Sequence, residues 1–178
     1  TTNTSRFIKT SHSILPQNSK CVLIFYMKTI IFVCHGNICR SVAAEWIFKL
    51  LMQKYQMEDR FEVYSRATST EEIGNDIYPP MKEELYRNNI PFTRHRASRI
   101  TQKDYDSSDY IFYMDENNLR YLNCLLNDTE NKLINITKYS SSHINHIEDP
   151  WYSDRFDLVV SQLIDCCENI IDELIMAK

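Results

Sequence analysis

The feature that most constrains the fold is a junction. The apolar run Thr29-Ile30-Ile31-Phe32-Val33 leads through Cys34-His35-Gly36-Asn37-Ile38-Cys39-Arg40-Ser41 into the amphipathic stretch Val42–Lys54. A short apolar run closed by turn residues reads as a buried strand, and the 3.6-residue period after it reads as a helix. The same alternation continues. Phe61–Ser65 reads as a second strand and, after a polar loop from Arg66 to Asn75, Pro79–Asn89 reads as a helix with proline at its start. Tyr110–Met114 reads as a third strand, Asp115–Leu126 as a helix with Asp115 as N-cap, and Lys132–Thr137 as a fourth strand. A long polar loop, Lys138–Ser153, precedes a last helix over Arg155–Met176. Strands alternating with helices predict an α/β three-layer sandwich, a four-stranded parallel sheet flanked by helices on both faces. Ligands bind such sheets beyond the carboxyl ends of the strands, where Cys34 falls.

A thiol at a strand-to-helix turn has a specific electrostatic setting. The first N–H groups of a helix lack intrahelical partners and, with the positive end of its dipole, welcome an anion. That setting favours thiolate over thiol, which makes Cys34 a candidate nucleophile. Arg40 can curl back across the loop and offer its planar fork to two oxygens of a phosphate. Gly36 allows close backbone approach, Asn37 tolerates the left-handed conformation a tight loop requires, and Ser41 can hydrogen-bond the thiolate. A Walker loop is excluded, since no Gly-Lys-Ser or Gly-Lys-Thr follows.

The 178 residues suit one domain, with 1–26 read as a flexible N-terminal extension, native or artificial, and 27–178 as the domain. The apolar stretch 21–34 is too short to span a bilayer and contains Lys28, so no membrane partner is expected. A net charge of −4 argues against a nucleic-acid partner. The basic segment Arg94-His95-Arg96-Ala97-Ser98-Arg99 reads equally as a solvated loop or as a rim that attracts an anionic substrate. Six scattered cysteines, without Cys-x2-Cys pairs, fit a reducing cytoplasm better than a disulfide scaffold or a metal site. Cys166 and Cys167 are expected to pack in the last helix, and Cys124 lies in a similar helical pattern.

Attack of a thiolate on a phosphate ester needs an acid to protonate the departing oxygen. Glu148-Asp149-Pro150-Trp151-Tyr152 offers one. Pro150 restricts Asp149, while Trp151 and Tyr152 can wall an aromatic ring.

From about Met27 onward the chain resembles the low-molecular-weight protein tyrosine phosphatases. The resemblance runs through Val33–Ser41, Ala44-Glu45, His95–Thr101, Met114–Arg120 and Glu148–Tyr152, in that order. It implies Cys34 as nucleophile, Arg40 as phosphate clamp, Asp149 as general acid and Ser41 as helper of the leaving thiolate. His35, Gly36, Asn37, Ile38, Cys39 and Ser41 would make up the phosphate-binding loop. Asn37 and His95 would hold that loop through hydrogen bonds, with Asp115 in support and Trp151 and Tyr152 lining the cleft. Cys39 matches a second cysteine able to form a reversible disulfide with Cys34. The implied activity is hydrolysis of phosphotyrosine in a protein, or of an aryl phosphate, through a phosphocysteine. Inorganic phosphate is released without metal or cofactor, and the enzyme is expected as a monomer or weak homodimer.

The chain departs from the pattern at Val42, where proline is common, and in Thr68–Gly74, which lacks an aromatic found in some members. Three alternatives stay open. An arsenate reductase would need two further relay cysteines, and near the third strand the chain offers only Cys124. A phosphoarginine phosphatase typically carries threonine at Ile38, whose apolar side chain suits a flat ring better. A phosphate-binding module without activity would lack Cys34 or Asp149, and both are present.

Overall fold

The structure, a computed structural model, describes residues 27–176. The expected extension, residues 1–26, lies outside the described residues. Four strands, β1 (Lys28–Cys34), β2 (Phe61–Ala67), β3 (Tyr110–Tyr113) and β4 (Leu133–Asn135), form one parallel sheet in the order β2-β1-β3-β4. The helices are α1 (Arg40–Lys54), α2 (Pro79–Arg87), α3 (Gln102–Ser107), α4 (Glu116–Leu125), α5 (Pro150–Ser153) and α6 (Phe156–Met176).

Side chains alternate across a strand, so β1 feeds two cores. Ile30, Phe32 and Cys34 face one cluster, shared with Val42, Ile47 and Phe48 of α1, Met81 and Leu85 of α2, and Val160 and Leu163 of α6. Ile31 and Val33 face the other, with Tyr105 of α3 and Leu122 of α4. The expected three layers are therefore present. The chain passes from β1 to β2 on one side and later returns to β3 on the other, so the order reverses beside β1. The carboxyl end of β1 opens at that switch point.

Several boundaries differ from the sequence reading. Strand β4 stops at Asn135, because its Oδ1 accepts the N–H and hydroxyl of Thr137 at 3.0 and 2.8 Å and turns the chain into a 3-10 helix, Ile136–Tyr139. Helix α3 was not foreseen; Thr101 and Asp104 form a reciprocal capping box that starts it. Part of the polar loop 138–153 is the short helix α5, capped by Asp149. Cys166 and Cys167 are fully buried as expected, and burial pushes the Cys166 thiol up to about 12. Cys124 is instead exposed, on the outer side of α4. Among the described residues no helix is long and apolar enough to cross a membrane.

Candidate active site

Between β1 and α1 the loop His35–Cys39 closes around the Cys34 sulfur. Asn37 sits at φ 59°, the left-handed conformation its side chain tolerates, and its backbone N–H donates to Cys34 Sγ at 3.3 Å. Ser41 Oγ lies 3.0 Å from the same sulfur. The fully buried Asn37 amide donates Nδ2 to Ser41 Oγ at 3.0 Å and to Ser65 Oγ at 2.9 Å. An oxygen that accepts from Asn37 leaves its own proton free, so the Ser41 hydroxyl can donate to Cys34 and the Ser65 hydroxyl donates to Glu45. Glu45 is held in turn by Lys49 one turn along α1.

The other end of the Asn37 amide is held from outside the loop. Its Oδ1 accepts Ser98 N–H at 3.1 Å, and His95 Nε2 stands 2.8 Å from Asn37 O and 3.2 Å from Oδ1. Both neighbours are acceptors, so Nε2 carries the proton. The segment 94–99 thus straps the loop. It does not form the anion-attracting rim that was one reading of its charge, for none of its residues lines the cleft and Arg94, Arg96 and Arg99 are exposed.

Arg40, only 4% exposed, does not present an open fork. Its Nη1 donates to Asp115 Oδ2 at 2.6 Å, and its Nη2 donates to Asp149 Oδ2 at 2.9 Å. Each carboxylate uses its other oxygen to cap a helix: Asp115 Oδ1 accepts Asn118 N–H of α4 at 2.8 Å, and Asp149 Oδ1 accepts Trp151 N–H of α5 at 3.1 Å. Burial works against the guanidinium charge, but Cys34, Asp149 and Asp115 outweigh it and raise the Arg40 pKa. At Cys39 the same environment acts the other way. Burial and then the Cys34 charge push its pKa far up, so Cys39 stands as a neutral thiol.

These groups meet in a cleft of about 410 Å³ lined by Cys34, Ile38, Cys39, Arg40, Asp115 and Asp149. Trp151 and Tyr152 line its mouth and are largely exposed, with Trp151 braced by the Tyr78 ring at a centroid distance of 5.8 Å. Glu71, Glu72, Asn117 and Tyr121 also line it, and sequence reasoning singled out none of them for this place. The loop bearing the two glutamates is bound to the sulfur loop by Thr68 N–H to Cys34 O and Ser69 N–H to His35 O, at 2.9 and 3.0 Å. Gly36 eases this approach: a Cβ there would stand 3.1 Å from Glu72 Cγ, so the glutamate stem would have to give by a few tenths of an ångström.

A sulfur ringed by donors at a helix N-terminus, with a buried arginine and two carboxylates beyond it, can receive a tetrahedral anion. The family model for low molecular weight phosphotyrosine protein phosphatase matches residues 29–177. The chain belongs to that family. It is 37% identical over 153 residues to the low molecular weight phosphotyrosine protein phosphatase of Mus musculus, covering 82% of this chain and 95% of that one. To the Homo sapiens protein of the same description it is 36% identical over 151 residues, with the same coverage. Among solved structures it is similar to YfkJ from Bacillus subtilis, with TM-score 0.82, 30% identity, and coverage of 86% of this chain and 98% of that one. It is also similar to a protein tyrosine phosphatase from Entamoeba histolytica solved with Hepes in the active site, with TM-score 0.79, 26% identity, and coverage of 84% and 98%. The four-stranded parallel sheet described above is the fold that this family shares.

Proposed function

We propose that this member of the family is a protein tyrosine phosphatase that hydrolyses phosphotyrosine through a phosphocysteine on Cys34. One observation carries the reading: Cys34 Sγ, held by Asn37 N–H and Ser41 Oγ, shares a single cleft with Arg40 and Asp149. N-cap Cys39 of α1 makes no side-chain cap bond, which leaves the first-turn amides to an incoming phosphate.

The arriving dianion competes with Asp149 for the buried guanidinium. Arg40 then turns its donors to the equatorial oxygens, and Asp149 is released toward the leaving group. Asp149, freed from the guanidinium and facing the dianion, takes a proton from solvent. In the first step the Cys34 thiolate forms a bond to phosphorus as the phosphorus–oxygen bond to the aryl group breaks, and Asp149 passes that proton to the leaving oxygen. Loop amides and Arg40 stabilise the charge spread over the equatorial oxygens. In the second step water attacks phosphorus and gives a proton to Asp149. The sulfur departs as thiolate, stabilised by the Ser41 hydroxyl, and inorganic phosphate is released. His95 and Asp115 act by position, through Asn37 and Arg40. Ile38, Trp151 and Tyr152 offer apolar surface to a flat ring, which supports an aryl over a guanidino substrate.

Among the described residues an electron relay of the arsenate-reductase kind finds no support, since Cys124 is exposed outside the cleft and Cys166 and Cys167 are buried in the core against α1. Free thiols at Cys34 and Cys39 fit a reducing compartment, which we take to be the cytoplasm. We take residues 27–178 as the catalytic domain, in line with the family match over 29–177.

Hydrolysis of para-nitrophenyl phosphate, inhibited by vanadate, tests the reading. Cys34→Ser is expected to abolish turnover, and near-normal turnover of that variant would overturn it.

A further inference from the structure

The mouth of the cleft carries more negative charge than its buried arginine answers. Of the lining carboxylates, Asp115 and Asp149 are both engaged by Arg40, whereas among the described residues Glu71 and Glu72 contact neither it nor any lysine. The partner of Glu71 is His35 Nε2 at 3.1 Å, and the Glu71 side chain is 71% exposed. Glu72 Oε2 accepts Asn75 Nδ2 at 2.6 Å, a neutral contact that fixes the carboxylate without discharging it. Nor is the loop free to swing these groups aside. Besides the bonds to Cys34 O and His35 O, it is closed by Gly74 N–H to Ala97 O at 2.8 Å and Asn75 N–H to Glu72 O at 3.0 Å, and the Glu72 stem lies over Gly36.

An acidic rim repels a phosphate dianion unless the substrate brings positive charge of its own. The other exposed side chains of the mouth suit a cation as well. Tyr121, Trp151 and Tyr152 are exposed aromatic rings lining the same cleft, and Tyr121 lies 5.8 Å from the ring of His35, the partner of Glu71. We infer that Glu71 and Glu72 form a specificity subsite for a lysine or arginine next to the phosphotyrosine of a protein substrate. The inference rests on the proposed phosphotyrosine hydrolysis and names the sequence context in which that hydrolysis is fastest. Glu71 meets the sulfur loop through His35 and Glu72 lies over Gly36, so the cation sits at the two glutamates, on the outer side of the loop that holds the phosphate at Cys34.

The test compares three phosphotyrosine peptides that differ only in flanking residues, with lysine and arginine, with alanine, or with aspartate and glutamate. It uses the full chain and its Glu71→Gln, Glu72→Gln and doubly substituted forms. The readout is the ratio of kcat/KM on the basic peptide to that on the acidic one, taken within each enzyme form. That ratio is expected to exceed one in the unsubstituted protein and to fall by up to about fivefold for each glutamate removed, the size of an exposed ion pair. It is also expected to shrink as salt is raised, because such pairs are screened. A ratio near or below one, or one that the double substitution leaves unmoved, overturns the subsite while the phosphatase reading stands. Failure of the unsubstituted protein to hydrolyse any of the peptides or para-nitrophenyl phosphate overturns both.

Discussion

Arg40 Nη2 donates to Asp149 Oδ2 at 2.9 Å, so in the unliganded protein the proposed phosphate clamp and the proposed general acid hold each other. Removing Asp149 therefore has two separable effects. Turnover on para-nitrophenyl phosphate by Asp149→Ala is expected to fall by about 10²–10⁴-fold, the usual worth of a positioned acid. Inhibition constants for phosphate and vanadate are expected to hold or tighten, because Arg40 loses a competitor for its donors. Anion affinity that collapses along with kcat would show Asp149 to be a binding residue instead.

Asp115 allows the ion pair to be separated from the helix cap. Its Oδ2 holds Arg40, while Oδ1 caps α4 through Asn118. Asp115→Asn keeps an oxygen for the cap but loses the charge. We expect kcat/KM to drop at least about tenfold with little change in Tm, since a hydrogen bond to a charged group is worth about 1.5–3 kcal/mol. Asp115→Ala also loses the cap, and unfolding in urea should show about 1 kcal/mol less stability than the asparagine variant. Equal stability of the two would remove the cap from the explanation.

The sequence made the β1–α1 junction legible because strand, loop and helix there obey local rules: apolar run, left-handed asparagine, amphipathic period. Strand β4 was overextended because Leu133–Asn135 and Ile136-Thr137 look alike by propensity, and only the Asn135 side chain ends the ladder. Cys34, Arg40, Asp115 and Asp149 do meet, yet their pattern of contacts was not readable. Arg40 and Asp149 are 109 positions apart, and which acceptor takes which donor is decided by how β1, β3 and the α5 turn converge. Glu71 and Glu72 were passed over because a polar loop gives no periodic signal, and only the bonds from Thr68 and Ser69 reveal that it lies against the sulfur loop.

Asp76 links stability at low pH to the strap over the active loop. Its Oδ1 accepts Ile77 N–H and His95 N–H, each at 2.8 Å, and its Oδ2 accepts Lys82 Nζ at 2.7 Å. Chiefly through the Lys82 bond, its pKa is held at about 2. An unfolded aspartate titrates near ~3.9, so between those values the unfolded chain binds more protons than the folded one. The stability Asp76 contributes is thus complete above about pH 4 and is lost as the pH falls toward 2. Asp76→Asn should lower Tm at pH 7 and flatten its decline below pH 4, when Tm is followed by circular dichroism. A decline as steep as that of the unsubstituted protein would assign the acid sensitivity to other groups.

Ser41 distinguishes the two chemical steps. Its hydroxyl accepts from Asn37 Nδ2 and lies 3.0 Å from Cys34 Sγ, so its proton is directed at the sulfur. That bond matters most when the sulfur leaves phosphorus with a full negative charge, which is the second step. Asn37 retains Ser65 as an acceptor when Ser41 becomes alanine, so the loop conformation should survive. We expect kcat of Ser41→Ala to fall about 10- to 100-fold, the worth of a hydrogen bond to a charged group. The phosphocysteine should then accumulate, and stopped-flow traces should show a burst of para-nitrophenol approaching one equivalent per enzyme before the slow steady state. A comparable fall in kcat without a burst would place the Ser41 contribution in the attack on substrate instead of in release of the thiolate.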